Sequence, residues 1–355
     1  MAIIITFKPK KFTYFIGVDI SRNELDFAVM EGKNLLFHKE TTNTPADIQA
    51  FVAELKTLPK FTVTRAVFCM ENTGIYSNHL LTTLKKFKAN VVIENALHIR
   101  NSLGQLRGKY DKIDSIRIAQ YAYKNREELR LWIPKRPIIE QIASLFTLRN
   151  RLVGVNVSLR TPLKEQTTFV TKGIHKNSVR LCQQSISSLK TDLHEVEKMI
   201  QELVKGDERL NYLYKIVTSV PSIGEVTALQ ILISTNEFKD ISTSKKFACY
   251  SGVAPFKRES GKIIGKARVS PISNRKVKTL LHTCAINAIR YNEELKTYYA
   301  RKIKEGKPKM AVINAVRAKL ISRIFACVNG NRPFKKEYSL TKLIDVEDSV
   351  TKEVV

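Results

Sequence analysis

Eight apolar residues set the strongest constraint on how this chain folds. Val179, Cys182, Ile186, Leu189, Leu193, Val196, Ile200 and Leu203 follow one another at alternating steps of 3 and 4. A period of 3.5 kept over several repeats makes one long helix with a single apolar seam, and such a seam is satisfied only against another helix. The partner is either a helix over about 138–157 of the same chain or the same helix of a second copy. Gly206-Asp207 closes the segment. A chain of 355 residues is too long for one ordinary core. The seam therefore marks a helical coiled-coil connector over 131–210, between a first domain at 1–130 and a third part at 211–335, with a mixed-charge tail at 336–355.

Before the connector the pattern is that of a mixed α/β domain. Tyr14–Val18, Asp26–Met30 and Leu35–His38 are short apolar runs separated by polar turns, which predicts an antiparallel meander of three strands. A helix follows, with Pro45 in its first turn and Ile48, Phe51, Val52 and Leu55 on one face. Ala66–Met70 has the unbroken apolar character of a central strand. A helix near Tyr76–Lys86 and a strand at Asn90–Ile93 complete the order βββαβαβ. After residue 213 the chain reads as helices joined by tight turns. Val220-Pro221-Ser222-Ile223-Gly224 resembles a helix-hairpin-helix turn, whose amides can hold a phosphate.

Charge narrows the partners. Lys and Arg number 60 against 33 Asp and Glu, a net +27, and the stretch Lys245–Lys335 has 22 basic residues against four acids. Such an excess repels itself unless a polyanion neutralises it, so nucleic acid is the expected partner. No apolar run approaches the length of a membrane span and no signal peptide is evident, so no membrane association is expected. Cys69, Cys182, Cys249, Cys284 and Cys327 lack C-x-x-C spacing and read as buried, reduced thiols of a cytoplasmic protein.

Within this basic chain, four acids stand at the ends of elements. Asp19 ends Gly17-Val18-Asp19, Glu71 ends the run through Met70, and Asp111 and Asp114 open a helical pattern at i, i+3, on one side of a helix. Carboxylates that converge in this way repel one another without a cation. Hard divalent ions such as Mg²⁺ or Mn²⁺ take oxygen ligands of this kind. Ser260 is a further candidate. Gly261 beside it allows a phosphate close to the backbone, and Arg258, Lys262, Lys266 and Arg268 would offset charge on phosphoryl oxygens. Ser251, Ser270 and Ser273 share the same basic surroundings, so composition alone does not single Ser260 out.

Gly17-Val18-Asp19-Ile20-Ser21 with Leu25-Asp26, Glu71-Asn72-Thr73-Gly74-Ile75-Tyr76, Asp111-Lys112-Ile113-Asp114, Val220–Gly224, Tyr250-Ser251-Gly252-Val253-Ala254-Pro255 and Glu259-Ser260-Gly261 occur in this order. Together they resemble the DEDD transposases of the insertion-sequence one-ten family, relatives of the Piv DNA invertase, over about 14–334. Ser222 stands where that family usually has glycine, and Asn72 where a small residue is common.

The resemblance implies an RNase H-like (RuvC-like) amino-terminal domain, a coiled-coil connector and a mainly α carboxyl-terminal transposase domain. It implies that Asp19, Glu71, Asp111 and Asp114 bind the metal and that Ser260 is the nucleophile of a DNA recombinase. It further implies donor and target DNA as substrates, a structured noncoding guide RNA, and action as a homodimer or tetramer with sites composed from separate domains. Two other readings of the residues stay open: a hydrolytic RuvC-like junction nuclease, and a noncatalytic scaffold that binds DNA and RNA.

Overall fold

The computed structural model describes residues 11–102, 111–260 and 263–335. The chain divides between Pro134 and Lys135 into two compact units.

The first unit is built on a five-stranded sheet. Strands β1 (Tyr14–Ile20), β2 (Glu24–Glu31) and β3 (Asn34–Thr42) form the expected meander. Helix α1 (Pro45–Leu55) follows, capped by Thr44, whose side chain accepts from the Asp47 amide. Its buried residues are Ile48, Phe51, Val52 and Leu55, the four that the apolar spacing selects. Then come β4 (Ala66–Glu71), α2 (Asn78–Lys86), β5 (Asn90–Glu94), α3 (Ala96–Ser102) and α4 (Asp111–Lys124). The sheet order is β3-β2-β1-β4-β5, with β1, β4 and β5 parallel.

Side chains alternate across the strands, so the sheet has two apolar faces. Tyr14, Ile16, Val18, Phe27, Phe68 and Met70 pack with α1 and α2. Phe15, Ala28, Val67, Cys69 and Val92 pack with Ile118, Ala119 and Ala122 of α4. Helix α4 comes so close to β1 that a Cβ on Gly17 would lie 2.1 Å from the Ser115 carbonyl oxygen and 2.3 Å from the Ala119 nitrogen. Only glycine fits under that backbone.

The second unit opens with two long helices, α5 (Pro137–Phe169) and α6 (Lys172–Gly206), which pack against each other. Helix α5 is longer than its apolar pattern suggests and runs through Pro162, which gives up one backbone hydrogen bond. Along the seam, Val196 and Ile200 are buried and the other six residues are half-buried, with α5 of the same chain packed against the helix. Helices α7 (Glu208–Ser219), α8 (Glu225–Thr235) and α9 (Ser244–Tyr250) precede a two-stranded antiparallel ribbon, β6 (Pro255–Ser260) and β7 (Ile263–Val269). Helices α10 (Arg275–Tyr291), α11 (Glu293–Lys304) and α12 (Lys309–Asn329) complete it.

The ribbon corrects the expectation of helices alone. Phe256 is half-exposed and much of the rest is basic, so no alternation of apolar residues announces a strand. A second correction concerns the thiols: Cys69, Cys284 and Cys327 are buried, Cys182 is half-buried and Cys249 is exposed, all free.

An ion cluster around the buried Glu237 fastens the start of the second unit. The Arg136 guanidinium, at the N-cap of α5, makes two bonds to Asp207, at 2.8 and 2.9 Å, and two to Glu237, at 2.9 and 2.6 Å. Glu237 has a fully buried side chain and lies in a run of three left-handed residues, Asn236, Glu237 and Phe238. Burial works against its negative charge, but Arg136 prevails and holds the pKa below the usual carboxylate range.

Between α7 and α8, the Val220 carbonyl accepts from the Ile223 amide at 3.1 Å across Pro221 and Ser222, and Ser222 has φ of +70°. Proline followed by a left-handed residue is the signature of a type II turn, in which glycine is preferred at the third position. A left-handed L-residue costs about 1–2 kcal/mol, and glycine returns roughly half of this through its greater freedom when unfolded. Ser222→Gly is therefore expected to stabilise the fold by up to about 1 kcal/mol, seen as a higher urea midpoint. Gly17→Ala should cost about 1–3 kcal/mol or more, since backbone rather than a flexible side chain must move; an unchanged midpoint would mean that α4 does not lie as described.

Candidate active site

The register of the sheet gathers carboxylates into a row. Glu40 pairs with Asp26, and Asp26 with Asp19. Strands β1 and β4 are in register up to Val18 and Met70, which puts Asp19 and Glu71 at the next step. Glu71 in turn pairs with Glu94. Paired residues share a face, and this is the face that α4 covers. Every strand thus contributes one acid at the same level, and α4 brings Asp114 to the same end.

Asp26 and Glu94 have partners of their own. Asp26 is 8% exposed and its Oδ1 meets the Nε2 of His38 at 2.7 Å. Glu94 accepts from the Tyr121 hydroxyl at 2.9 Å and from the Asn95 amide at 2.8 Å, and meets the Nδ1 of His98 at 3.0 Å. Nearer the centre, Asp19 Oδ1 accepts from the Ile20 amide at 3.0 Å. Asp114 accepts from Arg117 at 2.8 Å, one turn along α4.

Glu71 is half-buried. Burial first, and then the nearby Asp114 carboxylate, push its pKa up. Cys69, two residues before Glu71 on β4, has its pKa raised by burial and by Glu94 and Glu71. It remains a thiol, with no role as a nucleophile.

Of the four acids picked from sequence, Asp19, Glu71 and Asp114 come to one end of the sheet, and Asp111 opens α4 one turn before Asp114. Among the described residues, no group of three or more His, Cys, Asp or Glu side chains is gathered tightly enough to hold a metal ion. The donor set still suits a hard divalent cation: all are carboxylate oxygens, and Glu71 carries a like-charge penalty that a cation would remove. Glu40, Asp26 and Glu94 are the members of the row not picked from sequence as site residues, Asp26 being quoted only as part of a motif. Asp26 was visible in principle, since folding the first hairpin about Ser21–Glu24 sets it opposite Asp19. Glu94 was not, because its place depends on the parallel register of β4 and β5.

In the second unit Ser260 ends β6, paired with Ile263. Arg258 pairs with Gly265, and Arg268, which is exposed, pairs with Phe256. Lys266 lies on β7, and Gly261 and Lys262 lie outside the described residues.

Comparison with known proteins gives a consistent picture. Residues 16–171 match the DEDD family model of the IS110 type, described as Transposase, and residues 214–300 match the model described as Transposase IS116/IS110/IS902 family. The chain is 26% identical over 327 residues to the pilin gene-inverting protein of Moraxella bovis, covering 91% of this chain and 98% of the relative. The counterpart in Moraxella lacunata is 27% identical over the same length and coverage. The insertion element IS110 uncharacterized 43.6 kDa protein of Streptomyces coelicolor is 25% identical over 142 residues, 40% of this chain and 35% of the relative.

The raised pKa of Glu71 has a thermodynamic consequence of definite sign. An acid whose pKa is higher in the folded state costs stability as pH rises from the ordinary glutamate range through that higher value. Glu71→Gln should accordingly raise the melting temperature of metal-free protein at neutral pH, and the gain should shrink on acidification below the ordinary value of 4.5. Added Mg²⁺ should stabilise the wild type more than Glu71→Gln. Equal stabilisation of both would remove Glu71 from the cation's ligands.

Proposed function

The chain belongs to the IS110 family of transposases, and from that premise we propose that it cuts and rejoins DNA through a serine-linked intermediate, with a divalent cation at its carboxylates and a structured noncoding RNA as guide. The Moraxella relatives are named for inverting a pilin gene, and rearrangement of DNA is the activity carried over. Among the described residues, no helix is long and apolar enough to cross a membrane.

The observation that carries the reading is the convergence of acids from β1, β4 and α4 at one end of the sheet, expressed in the mutual repulsion of Glu71 and Asp114. The strand order is compatible with the RNase H-like fold that the reading assigns. Asp19, Glu71, Asp111 and Asp114 would hold Mg²⁺ or Mn²⁺. Bound there, the cation supplies charge neutralisation for a scissile phosphate.

Ser260 is the assigned nucleophile. Its Oγ attacks phosphorus and loses its proton, an O–P bond to serine forms, and the bond to the 3′ oxygen breaks and leaves a free 3′-hydroxyl. A 3′-hydroxyl of the other DNA partner then attacks the phosphoserine, re-forms a phosphodiester and returns the serine. One phosphoester replaces another at each step, so no ATP is required. Arg258, Lys262, Lys266 and Arg268 offset the charge on the phosphoryl oxygens. The +27 charge suits a load of RNA as well as DNA. A guide that reads sequence by pairing leaves the protein to recognise backbone and shape.

Supercoiled donor DNA, incubated with Mg²⁺ with and without co-purified RNA and analysed under denaturing conditions, tests the reading. A covalent protein–DNA adduct is expected from the wild type and none from Ser260→Ala. Cleavage that persists in Ser260→Ala at a near-normal rate would replace the serine mechanism with metal-dependent hydrolysis. Asp19→Ala should abolish recombination while DNA and RNA binding are retained; recombination at the wild-type rate would remove Asp19 from the catalytic set.

A further inference from the structure

The second unit contains two arginines with opposite surroundings. Arg136 bridges two carboxylates. Arg317, on α12, is 5% exposed and among the described residues meets no carboxylate. Its guanidinium donates to His282 Nδ1 and lies 3.4 Å from Asn314 Oδ1, while its buried Nε has no partner among the described residues. Burial alone pulls its pKa below the usual guanidinium value. A cation taken out of water without a counterion is among the costliest groups a fold can carry. An anion from outside the chain is the natural compensation.

The neighbours of Arg317 are arranged as such an anion requires. Arginine has no acceptor, so His282 Nδ1 must accept, and the proton of the neutral ring sits on Nε2 as a donor. Burial, and then the charge of Arg317, lower the pKa of His282 and keep it in that form. Lys278 precedes His282 by one turn of α10 and so shares its face. Both are half-buried.

These groups border the turn of the Tyr250–Pro255 motif, to which the proposed chemistry gives no role. Gly252 has φ of +64°, and a Cβ there would lie 2.5 Å from Ser273 Oγ and 3.5 Å from Lys278 Nζ. Asn314 Nδ2 donates to the Val253 carbonyl at 2.7 Å, which joins Arg317 to the same turn.

We infer that Ser273, Lys278 and His282, backed by Arg317 at the Gly252 turn, form a binding site for one backbone phosphate of a nucleic acid. The class of partner rests on the function proposed above. Lysine supplies the full charge, His282 Nε2–H and the Ser273 hydroxyl supply directional donors, and Arg317 fixes the histidine tautomer while the phosphate offsets its buried charge. A carboxylate from a second copy is the poorer fit, because the stretch around this site has 22 basic residues against four acids and would repel its like.

The test uses the full-length chain and fluorescence anisotropy with labelled duplex DNA and structured RNA over a series of KCl concentrations. Lys278→Gln, a surface change that spares the core, should weaken binding several-fold and reduce the slope of log K against log salt by about 0.9 on duplex DNA. His282→Leu should weaken binding. His282→Gln, which offers one acceptor to Arg317 and one donor outward, should restore most of the loss.

Variants that fold and bind as the wild type does, with unchanged salt slope, overturn the site while the function stands. A wild type that binds neither nucleic acid overturns both. Unchanged nucleic-acid binding with altered self-association of Lys278→Gln in sedimentation would assign the site to a second copy instead.

Discussion

The amino-terminal unit depends on the close approach of α4 to β1. Where the Ser115 carbonyl and the Ala119 amide lie over Gly17, there is no room for even a methyl group. That contact decides the rest of the face. Ser115, Ala119 and Ala122 are fully buried small residues that let α4 lie flat. Lying flat, α4 brings its first turn, with Asp111 and Asp114, to the end of the sheet where β1 and β4 present Asp19 and Glu71. The electrostatic cost at Glu71 is thus a by-product of packing. Apolar burial on both faces of the sheet offsets it, as is common where a fold carries a reactive site.

The carboxyl-terminal unit handles charge in two ways. Arg136, Asp207 and Glu237 satisfy one another and tie the start of α5 to the α6–α7 junction and to the end of α8. In that cluster charge serves the fold. Arg317 has no such counterion among the described residues, where its polar partners are a histidine and an asparagine. Buried charge that the fold leaves uncompensated points outward, to a polyanion, just as the basic composition of the whole stretch does.

Much of the fold was legible in the residues because local rules were enough. Thr44 and Pro45 start α1, and its apolar spacing picked out the face that the core buries. Apolar runs marked each strand of the sheet, and the seam of α6 was correctly read as a surface that needs a helical partner. The ribbon with β6 ending in Ser260 was missed, since Phe256, Lys257, Glu259 and Arg268 are exposed and no alternation of apolar residues runs through it. Glu94 and Asp26 were missed as neighbours of Glu71 and Asp19 for a different reason: strand register is a property of pairing, and no single strand records it.

The sequence by itself determined the elements, the excess of positive charge, the motifs and the acids that end their strands, because each of these follows from neighbours along the chain. Tertiary structure alone decided which strand lies beside which and that α6 packs on α5 of its own chain. It also decided that five strands align five acids, that Ser222 occupies a left-handed turn, and that Arg317 is buried with no counterion among the described residues. The physical reason is the same throughout: burial and pairing depend on which distant segments meet, and a side chain's electrostatic environment exists only after they have met.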